Sequence, residues 1–154
     1  MLGKEIDFSG IRFGVKGDNP EQIIKNLSWV IARETPLTFP ETQKNMEDIF
    51  KKSVTGIGDG VAVFDWVSEK AETPYLLCAK LESAVQFPSV DDRSVDMVLV
   101  LVSPQSKGSF HLQHLSRVTR MFRESKLLEK LRSVSNVDGL HAILLPENRR
   151  LSAA

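Results

Sequence analysis

The segment Val95-Asp96-Met97-Val98-Leu99-Val100-Leu101-Val102 constrains the fold more than any other stretch of this chain. Apart from Asp96 it is apolar at every position, so neither face of an extended segment could be left to water. Such a run belongs in the middle of a sheet that is covered on both sides. The flanking segments supply further strands and the covers. Ile11, Phe13 and Val15 alternate with polar or small residues, the period of a half-buried strand. Asn19 as N-cap, Pro20 at the first helical position and Gln22 at the capping-box position then predict a helix start. Its apolar residues Ile23, Ile24, Leu27, Val30 and Ile31 keep helical spacing, and Pro36 ends it.

A second helix is predicted over 40–52, with Met46, Ile49 and Phe50 on one side. Strands are predicted from 61 to about 66 and over 75–81, and Pro104, Ser106, Lys107 and Gly108 form a loop. From Ser109, read as an N-cap, Leu112, Leu115, Val118, Met121 and Phe122 make an apolar stripe, with Arg117, Arg120 and Arg123 on another face. Two short helices follow, over 126–134 and 137–144. Helices at both ends with strands between them predict an α/β domain. No repeat, low-complexity tract or linker divides the sequence, so residues 1–154 are expected to form one domain.

Composition narrows the chemistry. Twenty basic and twenty acidic residues cancel, which argues against broad nucleic-acid binding. The balance is uneven, because residues 1–110 hold 12 basic and 16 acidic groups while residues 111–154 hold 8 and 4. A single cysteine, Cys78, cannot form an internal disulfide, and a reducing cytoplasm is the expected compartment. No apolar run approaches the roughly 20 residues of a membrane span. The first seven residues carry acids where a signal peptide needs an apolar core. Three histidines, His111, His114 and His141, leave little imidazole chemistry available.

Two places could hold an anion. Thr55-Gly56-Ile57-Gly58-Asp59-Gly60 is rich in glycine, but it follows a helix and opens a strand, the reverse of a dinucleotide fingerprint. It is either a structural turn or a site of close backbone approach. His111 falls in the first turn of a predicted helix, where free N–H groups and the positive end of the dipole gather. It could equally be a surface or capping histidine. His114 lies one turn on, without the further ligands a zinc site needs, so neither metal nor cofactor is expected. Cys78 reads as a small buried residue, and the arginine row as a solvated face.

Three motifs, in order, resemble one family. Thr55-Gly56-Ile57-Gly58-Asp59-Gly60-Val61-Ala62-Val63 is similar to the T-G-I-G-x-G-[IV]-A-[IV] segment of phosphotransferase-system enzyme IIA domains of the fructose/mannitol type, nearest the nitrogen-regulatory branch. The likeness continues in Val85-Gln86-Phe87 and through Asp91-Asp92-Arg93-Ser94-Val95-Asp96-Met97, and recurs in His111-Leu112-Gln113-His114-Leu115-Ser116-Arg117-Val118. It covers about residues 8–145. The resemblance implies a mixed β-sheet covered by helices on both faces. It also implies phosphocarrier work, in which a histidine takes a phosphoryl group from the small phosphocarrier protein HPr or a relative of it. The regulatory branch reports phosphorylation state to protein partners.

In the family the acceptor histidine follows proline, as A-[IV]-P-H, whereas here Ala62-Val63 is followed by Phe64-Asp65. The family's second, supporting histidine corresponds to His111. The expectation at this stage is therefore a degenerate, non-catalytic relative with Asp65 in the acceptor's place, working by docking to HPr-type or regulatory proteins. In it Thr55, Gly56, Gly58, Asp59 and Gly60 form a binding turn, and Asp65 pairs with protonated His111. Trp66 would crowd the pocket. Two alternatives stand beside it: an active phosphocarrier using His111, and a small-anion sensor built on the glycine turn and the helix start. The oligomeric state is left open.

Overall fold

The structure, a computed structural model, describes residues 6–145. Five strands, β1 (Gly10–Val15), β2 (Gly56–Gly58), β3 (Val61–Ser68), β4 (Tyr75–Val85) and β5 (Val95–Pro104), form one sheet in the order β1-β4-β5-β3-β2. The pairs β1–β4 and β3–β5 are parallel, and β4–β5 and β2–β3 antiparallel. The apolar run thus occupies the centre as β5, with every residue from Met97 to Pro104 buried. Asp96 escapes the core by pairing with Arg132.

Helices α1 (Pro20–Glu34) and α2 (Phe39–Lys52) cover one face. There Ile23, Ile24, Leu27, Ile31 and Met46 pack on Phe64, Leu77, Val98 and Val100. Helices α3 (His111–Met121), α4 (Ser125–Ser133) and α5 (Val137–Leu144) cover the other. On this side Val118, Phe122, Leu128, Leu131 and Leu140 meet Val61, Cys78, Met97, Leu99 and Leu101. The fold is the predicted mixed α/β sheet with helices on both faces. Burial pushes the Cys78 thiol up to about 12, consistent with an inert core residue.

The helix starts show where local chemistry was decisive. The Asn19 side chain accepts from Gln22 N at 2.9 Å, as an N-cap should. The reciprocal capping-box bond is displaced by one residue, because Gln22 Oε1 accepts from Asp18 N at 2.7 Å. Thr38 and Glu41 form a complete box for α2.

Ser109 does not cap α3. A 3-10 segment, Gln105–Phe110, fills the predicted loop, and α3 begins at His111 with no side-chain cap. Leu112 also departs from the predicted stripe. It is 74% exposed, because the buried side of α3 runs through His111 and Val118, and Leu112, one residue after His111, lies about 100° round the helix from it.

Candidate functional site

The parallel pair β3–β5 places the site. In its register Asp65 lies beside Leu101 and Val67 beside Ser103. Strand alternation sends Asp65 and Ser103 to the same face as Leu99 and Leu101, the face covered by α3. Both stand near the carboxyl ends of their strands, where open α/β sheets commonly place ligands. The 3-10 segment after β5 turns the chain back so that the first residue of α3, His111, drops between them.

His111 is 7% exposed and engaged at both ring nitrogens. Nε2 lies 2.8 Å from Asp65 Oδ2, and Nδ1 lies 2.5 Å from Ser103 Oγ. A carboxylate can only accept, so Nε2 carries the proton and donates it to Asp65. In the neutral ring Nδ1 then keeps its lone pair, and the Ser103 hydroxyl donates to it. Carboxylate, imidazole and hydroxyl therefore form a line that fixes the tautomer and aims the free lone pair at the Ser103 side.

This geometry corrects the expectation of a site deprived of its acceptor. A histidine is present, buried and held in one orientation, and Asp65 is its hydrogen-bond partner and not its replacement. The degenerate, pseudo-enzyme reading falls with that finding. Trp66 does not crowd the site either. Alternation turns it to the opposite face, where it packs against the core beneath α1 and α2.

The glycine turn is not brought to His111. Gly60 opens β3 and Asp65 stands five residues further along it, a separation of about 16 Å. The turn has reasons of its own for its residues. Gly58 and Gly60 adopt φ of +115° and +82°, and Asp59 adopts +55°. A side chain on Gly56 would meet the Ser89 Cα at 2.8 Å. Asp59 N donates to Asp91 Oδ2 at 2.8 Å, Arg93 Nη1 lies 3.2 Å from Asp59 Oδ1, and Arg132 donates to Asp59 O. Thr55 is buried, and its Oγ1 has no partner.

Around His111 the surface is apolar with a basic margin. Val67, Phe110 and Leu112 are 42%, 60% and 74% exposed, and Phe110 and Leu112 flank His111 in the chain. Burial, followed by the neighbouring Arg117, holds His114 below the ordinary histidine range. Sequence reasoning missed Ser103. The signal available was a small hydroxyl residue closing an apolar run on the same strand face as Leu99 and Leu101. Among the described residues no group of three His, Cys, Asp or Glu converges to hold a metal.

Fold and site together define an α/β domain with a mixed five-stranded sheet that presents one oriented imidazole at the ends of two parallel strands. Residues 6–146 match the family described as phosphoenolpyruvate-dependent sugar phosphotransferase system, EIIA 2, and the chain belongs to that family. A nitrogen regulatory protein of Bradyrhizobium diazoefficiens is 32% identical over 94 residues, which span 61% of this chain and 61% of that protein. Another, from Pseudomonas aeruginosa, is 25% identical over 132 residues, 85% of this chain and 86% of its own length. The crystal structure of nitrogen regulatory protein IIA-Ntr from Neisseria meningitidis superposes with a TM-score of 0.81, covering 93% of this chain and 98% of that one at 22% identity. Escherichia coli IIA mannitol gives 0.71, covering 88% and 96% at 19% identity. No helix among the described residues is long and apolar enough to cross a membrane.

Proposed function

We propose that this chain is an active phosphocarrier, a single enzyme IIA unit with its core at about residues 8–145, which takes a phosphoryl group on His111. The observation that carries the reading is the clamped imidazole, with Nε2 2.8 Å from Asp65 and Nδ1 2.5 Å from Ser103. A neutral ring whose proton is fixed on Nε2 offers Nδ1 as the nucleophile. Its lone pair attacks phosphorus, and a new P–N bond forms. The P–N bond of a phosphohistidine donor breaks, and its electron pair returns to the donor nitrogen. The Nε2 proton stays in place, so the phosphorylated ring is cationic, and the Asp65 carboxylate offsets that charge. Ser103 must turn its hydroxyl away from Nδ1, and it can then donate to a phosphoryl oxygen.

The donor this supports is a protein of the HPr type, acting in the cytoplasm. Exposed Val67, Phe110 and Leu112 give such a donor an apolar surface to dock on around His111. Relatives named nitrogen regulatory protein support a second step, in which loaded and unloaded forms are read by regulatory protein targets. Thr55, Gly56, Gly58, Asp59 and Gly60 serve this site from a distance, by fixing the start of the strand that delivers Asp65.

The test is incubation with a phosphorylated HPr-type donor. The parent should acquire acid-labile label, Asp65→Ala should still acquire it, and His111→Ala should lose it. Label that persists in His111→Ala, or a parent that takes none, overturns the reading.

A further inference from the structure

A cavity of about 300 Å³ lies on the Ser103 side of His111, lined by Ser103, Lys107, Gln113, His114 and Arg117 with Pro74 and Phe110. Two permanent cations face it, and its lining contains no carboxylate. Arg117 Nε is buried without any hydrogen-bond partner, a donor withdrawn from water and given no acceptor. The Asp65 carboxylate lies on the far side of the His111 ring, and the pull of Asp7 on His114 is weaker than the opposing push of Arg117.

We infer that this cavity is an oxyanion site for phosphate-class ligands, with Lys107 and Arg117 as its charged donors and Ser103 and Gln113 as its neutral ones. The inference rests on the phosphocarrier reading for its purpose, since a phosphoryl group on Nδ1 would enter this cavity through the position of the Ser103 hydroxyl. The site itself is defined by the unmodified protein. Planar guanidinium and point-charge ammonium groups are the usual pair for holding a tetrahedral oxyanion. The exposed α3 residue Arg120 and the glycine turn take no part. This separates the site from an anion site built on that turn.

The site can be tested without any donor, by calorimetry and by NMR of the histidine rings as inorganic phosphate is titrated into the full chain at low ionic strength. Saturable binding at millimolar concentration or below is expected, with the His114 ring resonances moving. Lys107→Gln, an exposed substitution that leaves packing untouched, should weaken binding about fivefold. Arg117→Gln should weaken it further, and Arg117→Lys should recover part of the loss. Absence of saturation, or equal binding by parent, Lys107→Gln and Arg117→Gln, overturns the inference. Chemical phosphorylation by phosphoramidate separates the two claims. Phosphate binding with no label on His111 leaves the cavity and removes the carrier, and label on His111 without phosphate binding does the reverse.

Discussion

Replacing Ser103 by Ala tests the tautomer assignment directly. The Ser103 side chain is 2% exposed, and its Oγ lies 2.5 Å from His111 Nδ1. The substitution removes one oxygen and leaves Nδ1, a buried acceptor, without a donor. Loss of one partner from a buried hydrogen bond costs about 1–3 kcal/mol, whereas loss of both is close to neutral. For a domain of this length each kcal/mol lowers Tm by about 2–4 °C. Urea denaturation of the parent, of each single variant and of Ser103→Ala/His111→Ala completes a double-mutant cycle. The expected coupling is about 1–2 kcal/mol, with an unchanged slope in denaturant. A coupling near zero would show that Nδ1 does not carry the free lone pair.

Other outcomes follow from the same geometry. Asp65→Asn should change the ¹⁵N signature of His111 from one fixed tautomer to a mixture, since an amide can donate as well as accept; an unchanged spectrum would refute the pairing. Because His114 is held below the ordinary range, the unfolded chain binds its proton first. Stability should therefore be fully present above about pH 6.5 and fall as the pH drops below it. His114→Gln should flatten that fall in a series of melts at different pH. Gly60→Ala should destabilise by about 1–2 kcal/mol or more, from φ of +82° and from a Cβ placed 2.6 Å from Arg132 Nη2. Asn19→Ala should cost about 1 kcal/mol by removing the α1 cap.

The scaffold was legible where residue patterns act locally. The apolar run of β5, the Asn19 cap and the spacing of Ile23, Ile24, Leu27 and Ile31 are each explained within about ten residues of chain. The site was not legible in that way. His111 and Asp65 are 46 residues apart, and what joins them is the parallel register that sets Asp65 beside Leu101 and Val67 beside Ser103. No local rule gives that register. Family likeness identified both residues and their pairing but assigned Asp65 the role of a lost acceptor, because a motif compares positions and does not show which ring nitrogen is held or that Ser103 holds the other. Leu112 misled for another reason, since the apolar stripe left out His111, the residue whose side of the first turn is buried.

The position of β5 also governs when this chain can become a sheet at all. On one side of it lie β4 and β1, on the other β3 and β2. Until β5 is made, the N-terminal strands can form only two separate two-stranded pieces, and a two-stranded pair is marginal in water. One of those pieces joins Gly10 to Leu77 across most of the intervening chain. Without β5, therefore, nothing joins the two pieces into one sheet. The strand that positions Ser103 for chemistry is also the one that closes the sheet, so a chain truncated before Val95 should lose site and fold together.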